Sequence, residues 1–139
     1  SNGCRAKLEQ QIRDLGLNEY VLFTGMLEGD RLKAAYARGD VLALVSQKEN
    51  FGLTAAEGLA SGLPVVVSEG VDIAKDWRSE GPIRRVVPTP EDISRALVEL
   101  LERSSTYGVP DPDARALAEK EFAGMGVSGL PDLWESLTN

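Results

Sequence analysis

The chain has 139 residues, 42% of them apolar, which is enough for one domain with a sizeable core. Lys and Arg number 15 against 22 Asp and Glu, and the net charge of −7 speaks against a nucleic-acid or anionic-membrane partner. With no histidine and a single cysteine, Cys4, the composition excludes His-based acid–base catalysis, an internal disulfide and a transition-metal site built on His or Cys.

No apolar run approaches the roughly 20 residues of a membrane span. The opening SNGCRAK has no apolar h-region, so no signal peptide is visible. Together with the missing initiator Met, this leads to an expectation of a cytoplasmic domain cut from a longer protein, with membrane association of that parent as the open alternative. Residues 1–3 read as a cleavage scar.

In chain order, residues 6–15 (AKLEQQIRDL) place Leu8, Ile12 and Leu15 at helical spacing, and Gly16 stops the helix. Residues 20–24 (YVLFT) read as a short strand ended by Gly25. Asp30 is expected to cap a helix over 31–38 whose Leu32, Ala35 and Tyr36 share a face. Residues 41–45 (VLALV) form a continuous apolar run, as in a strand covered on both faces. A loop at 46–50 leads to a helix over 51–60, a turn at 61–64 and a second strand at 65–67. A short helix over 72–77 and a weaker strand at 84–87, fenced by Pro88 and Pro90, come next.

Residues 91–103 (EDISRALVELLER) carry the clearest helical pattern, with Ile93, Leu97, Leu100 and Leu101 as the buried stripe. A turn-rich linker over 104–112 precedes a helix over 113–122. Glycines 124 and 126 break it, and a short amphipathic helix over 130–137 ends the chain. Alternating short strands and helices argue for an α/β fold, a Rossmann-like parallel sheet with helices on both faces. Three or four strands are few for a sheet that commonly has about five or six. The remaining strands are expected upstream of residue 1.

The stretch 41–68 (VLALVSQKENFGLTAAEGLASGLPVVVS) holds the candidate site. In open α/β sheets ligands sit beyond the carboxyl ends of the strands, where the 46–50 loop lies. Asn50 as N-cap leaves the N–H groups of Phe51, Gly52 and Leu53 to face an anion, and Gly52 lets a phosphate approach the backbone. Glu49 precedes the helix. Glu57 lies within it, on a small or polar stripe with Thr54, Gly58 and Ser61, while Leu53, Ala56, Leu59 and Ala60 pack on the sheet. Two carboxylates around a phosphate site suit a diphosphate with sugar hydroxyls at both ends. Singly, each residue is also accounted for by ordinary helix chemistry: acids gather at helix starts and on solvated faces.

As a set, SQKENFGLTAAEGLASGLPVVVSEG resembles the signature of retaining glycosyltransferases of the GT-B fold, the family 4 group. The carriers are Glu49 and Glu57 separated by seven residues, Phe51-Gly52 after the first, and Gly62-Leu63-Pro64-Val65 behind the second. The likeness extends over roughly residues 8–101. It implies a truncated GT-B C-terminal domain, with residues 1–139 as one partial nucleotide-sugar-binding domain.

The resemblance also implies roles. Glu49 binds donor-sugar hydroxyls at the reacting centre and is the catalytic candidate. Asn50 stands beside it, the backbone of Phe51, Gly52, Leu53 and Thr54 contacts the sugar or diphosphate, and Glu57 binds the ribose. The implied reaction moves a sugar from a nucleotide-diphosphate donor to an unknown acceptor with anomeric retention. It calls for no cofactor and no essential metal.

The N-terminal acceptor domain of that family is absent from the chain, as are the early strands that carry an Arg and a Lys for the diphosphate. Lys48 occupies neither position. Without two charge-assisted pairs, at roughly 1.5–3 kcal/mol each, affinity falls on the order of 10²–10⁴. The chain alone is therefore expected to bind donor weakly and transfer nothing, and to hide an exposed sheet edge by dimerising or beneath a terminal helix. The alternative is a non-catalytic nucleotide-sugar-binding or regulatory module of the same fold. A GT-B epimerase or phosphorylase fits the Phe-Gly pattern less well.

Overall fold

The computed structural model describes residues 2–46, 53–71, 76–103 and 109–122. In chain order these form α1 (Asn2–Asp14), α2 (Gly29–Arg38), β1 (Leu42–Leu44), α3 (Leu53–Ala60), β2 (Val65–Ser68), β3 (Ile83–Val86), α4 (Pro90–Arg103) and α5 (Pro112–Phe122). The sheet runs β1-β2-β3 with both pairings parallel. Val65 sits between Leu42 and Ile83, and Val67 between Leu44 and Arg85.

The central strand β2 is buried along its whole length, as its Val-Val-Val run requires. Side chains alternate between two layers. Val65 and Val67, with Ile83, meet Ala55, Ala56, Leu59 and Ala60 of α3 and Ala114 and Ala118 of α5. Val66 and Val86 meet Ala96 and Leu100 of α4. Helices thus cover both faces, and the expected α/β Rossmann-like arrangement is present. α3 lies between the sheet and α5, so it is apolar nearly all round.

Helix ends follow local chemistry. The Thr89 Oγ1 accepts the Asp92 N–H at 3.2 Å, with Pro90 as the first helical residue of α4. Asp111 caps α5, its Oδ1 accepting the Asp113 N–H at 2.9 Å and Pro112 again taking the first position. Asp111 and Asp113 also pair with Arg103 at the end of α4, clamping the two helices together across residues 104–108. α3 closes with the Leu63 N–H donating to the Gly58 carbonyl and the Gly62 N–H to the Leu59 carbonyl, both at 2.9 Å. This is a Schellman closure, and Gly62 supplies its left-handed residue at φ +87°.

Several expectations are corrected. Residues 20–24 form no strand: they pair with no other described strand, and Tyr20 and Leu22 are 81% and 83% exposed. An extended segment becomes a strand only where a neighbour completes its hydrogen bonds. β1 is not covered on both faces: Ala43 and Val45 stay exposed, because α4 lies over β2 and β3. Asp30 does not cap α2. The cap is Glu28, through backbone geometry alone, and Asp30 lies in the first turn. On α2 Tyr36 is buried and Ala35 is exposed. Most of the proposed 72–77 helix and the 123–139 segment fall outside the described residues.

Candidate functional site

The candidate site lies where β1 ends and α3 begins. Ser46 follows β1, and Ser68 ends β2. Ser68 is fully buried. Its Oγ accepts the Ser46 N–H at 2.8 Å and donates back to the Ser46 carbonyl. A hydroxyl that both accepts and donates satisfies the backbone just beyond the strand and anchors the start of the loop to the middle of the sheet. The sequence signal for this was a lone serine closing a run of valines.

α3 carries the other half. Thr54 is exposed in its first turn and Glu57 is half-buried one turn on. Glu57 does not lie on a freely solvated stripe: the Tyr36 hydroxyl of α2 donates to its Oε2 at 2.7 Å. Tyr36 is 7% exposed. Burial, then the hydrogen bond to Glu57 and its negative charge, raises the phenol pKa well above the usual tyrosine value. The phenol thus remains a donor across neutral and mildly alkaline pH.

The rest of the stripe is equally occupied. A Cβ on Gly58 would meet the Leu42 Cδ2 of β1 at 2.4 Å, so the bare backbone is what lets α3 sit this close to the sheet. Ser61 is buried, its hydroxyl donating to the Glu57 carbonyl at 2.8 Å. Of the proposed residues, Glu49, Asn50, Phe51 and Gly52 lie outside the described residues. Leu53 opens α3. Tyr36 was read in the sequence only as part of an apolar helix face, and its hydroxyl gave no separate signal.

A cleft of about 450 Å³ lies elsewhere, between Trp77, Pro82 and Ile83 on one side and Leu117 and Lys120 of α5 on the other. It sits at the amino end of β3, away from Ser46 and the start of α3, which follow the carboxyl end of β1. Among the described residues, no three Asp, Glu, His or Cys side chains gather closely enough to hold a metal ion. No helix among them is long and apolar enough to cross a membrane.

Residues 3–119 match the family described as glycosyl transferases group 1, which is well over half of the chain. The chain belongs to that family. Among curated relatives, it is 36% identical over 131 residues to a D-inositol 3-phosphate glycosyltransferase of Corynebacterium kroppenstedtii, covering 93% of this chain and 29% of the relative. It is 43% identical over 68 residues to an uncharacterized glycosyltransferase of Methanocaldococcus jannaschii, covering 49% of this chain and 17% of the relative. It is 51% identical over 47 residues to a sulfoquinovosyl transferase of Arabidopsis thaliana, covering 34% of this chain and 9% of the relative. The group 1 glycosyltransferase chain therefore spans less than a third of the length of each of these relatives. No solved structure matches it significantly.

Proposed function

We propose that this chain is the donor-binding part of a retaining glycosyltransferase of the family 4 type. It would take a nucleotide-diphosphate sugar and deliver the sugar to an acceptor bound by another part of the full enzyme. The observation that carries this reading is the pairing of family membership with Glu57, a half-buried carboxylate on the helix that follows β1. That helix begins beyond the carboxyl end of a parallel strand, where open α/β sheets bind ligands.

In this reading Glu57 accepts hydrogen bonds from the ribose. Glu49 binds the donor sugar near the reacting centre, and the segment Asn50 to Thr54 lies along the diphosphate. The donor is a substrate, and neither cofactor nor metal is called for. The cations that balance the diphosphate, and the acceptor, come from outside the 139 residues.

Titration of the chain with uridine, guanosine and adenosine diphosphates tests the reading. One of them binds, saturably, in the millimolar range or more weakly, and no sugar is transferred by the chain alone. Micromolar binding contradicts the split of the phosphate site between this chain and another domain. Absence of binding by all three contradicts the donor-site reading. In the full enzyme Glu49→Ala lowers kcat/KM sharply while Glu57→Ala acts mainly through KM.

A further inference from the structure

Glu57 needs more than the right place to bind a ribose. A carboxylate at the end of a glutamate side chain rotates through a broad, roughly two-fold well at its last torsion. Unheld, it presents its oxygens in many directions. Here one oxygen is already engaged: the Tyr36 hydroxyl, on a separate helix, donates to Oε2 at 2.7 Å. The ring behind that hydroxyl is buried at the foot of α2, beside Leu63 and Pro64 in the turn after α3.

Among the described residues the phenol donates to no other acceptor, and burial beside a negative charge keeps it protonated. We propose that Tyr36 is a positioning residue for nucleotide selection. By holding Oε2 it fixes the carboxylate plane and leaves Oε1 free to accept the ribose hydroxyls. Resting on the donor-site reading above, it adds a source for the discrimination between ribo- and deoxyribonucleotide: Tyr36 does not touch the nucleotide but sets the acceptor that does.

The physical reasoning is one of pre-organisation. A side chain already frozen by an internal hydrogen bond loses less freedom when a ligand arrives, and that saving appears only in contacts made by the frozen group. Removing the Tyr36 hydroxyl therefore weakens the ribose contact selectively. A hydroxyl that serves only to stabilise the fold would, when removed, weaken all nucleotide binding alike or none.

The test uses ligand-observed NMR titration of the chain with whichever nucleoside diphosphate binds, and with its 2′,3′-dideoxy counterpart. The quantity read is the ratio of the two affinities. Wild type prefers the ribonucleotide, and Glu57→Ala brings the ratio to one. Tyr36→Phe, which keeps the ring, lowers the ratio roughly three- to ten-fold and leaves dideoxynucleotide affinity unchanged. Tyr36→Met, which fills the space without a donor, takes its place should Tyr36→Phe not fold.

An unchanged ratio in the Tyr36 variant, with the ratio abolished in Glu57→Ala, overturns the positioning role and leaves the donor site standing. Equal loss of both affinities in the Tyr36 variant marks a structural role and also overturns it. An unchanged ratio in Glu57→Ala, or no diphosphate bound by wild type, overturns the donor-site reading and this inference with it.

Discussion

Residues 2–26 and the layer from β1 to α5 are both patterned with apolar side chains, but only the layer buries them. In the layer, Leu59, Leu100 and all three valines of β2 are fully buried. In the N-terminal stretch, Leu8, Leu15, Tyr20, Leu22 and Met26 are 45%, 63%, 81%, 83% and 88% exposed. α1 still forms, because a helix satisfies its backbone internally and gains from local pairs such as Arg5–Glu9 and Gln10–Asp14. The 20–24 segment, with the more strand-like composition, does not pair. The contrast separates two kinds of sequence signal: periodicity is enough to specify a helix, whereas a strand also needs a neighbour that its own residues do not encode.

Substitutions sharpen this contrast. Leu59→Ala empties a fully packed position and costs about 2–5 kcal/mol in urea unfolding, while Leu22→Ala changes stability by less than about 0.5 kcal/mol. Comparable costs at the two positions would break the distinction between the regions.

Gly62→Ala comes next. It forces a side chain into φ +87° and brings Cβ to 2.5 Å from the Pro110 Cβ and 3.0 Å from its Cα. The left-handed penalty of about 1–2 kcal/mol and the overpacking together exceed about 2 kcal/mol. Asp111→Ala removes the α5 cap and a half-buried partner of Arg103, for a loss of about 1–2 kcal/mol by the same assay. A loss below about 0.5 kcal/mol would mean that the α4–α5 clamp contributes nothing.

Tyr36→Phe has a pH signature. The folded-state pKa of Tyr36 is raised above its unfolded value of about 10, first by burial and then by Glu57. The folded state therefore holds the proton longer. The stabilisation is fully present below pH of about 10 and is lost as pH rises beyond it, by up to about 1.4 kcal/mol per pH unit. The wild-type advantage over Tyr36→Phe is then flat at neutral pH and shrinks above pH of about 10. A difference constant to higher pH would contradict the buried Tyr36–Glu57 bond.

The layer was legible in the sequence because its residues report their own surroundings. VLALV, VVV and the Ile93–Leu97–Leu100 spacing each led to the right element. The end of α3 could be read from Gly62-Leu63-Pro64. What was not legible depended on partners distant in sequence. The Tyr36–Glu57 bond joins residues 21 apart, and the Ser68–Ser46 bridge joins residues 22 apart. Glu57 was read as facing away from the core, with a solvated face as the ordinary alternative, but its Tyr36 partner was not legible, because helical spacing reveals which residues share a face, not what covers it. The same limit applied to β1, whose apolar run reads as central although α4 leaves Ala43 and Val45 open.

The most direct measurement follows the backbone amides of the 15N-labelled chain as a nucleoside diphosphate is added. The donor-site account predicts concentration-dependent shifts centred on α3 from Leu53 to Gly58 and on Ser46 at the end of β1, with Tyr36 following Glu57. Shifts centred instead on the cleft beside Trp77 and Leu117, at the opposite end of the sheet, would contradict it, as would no shifts at all.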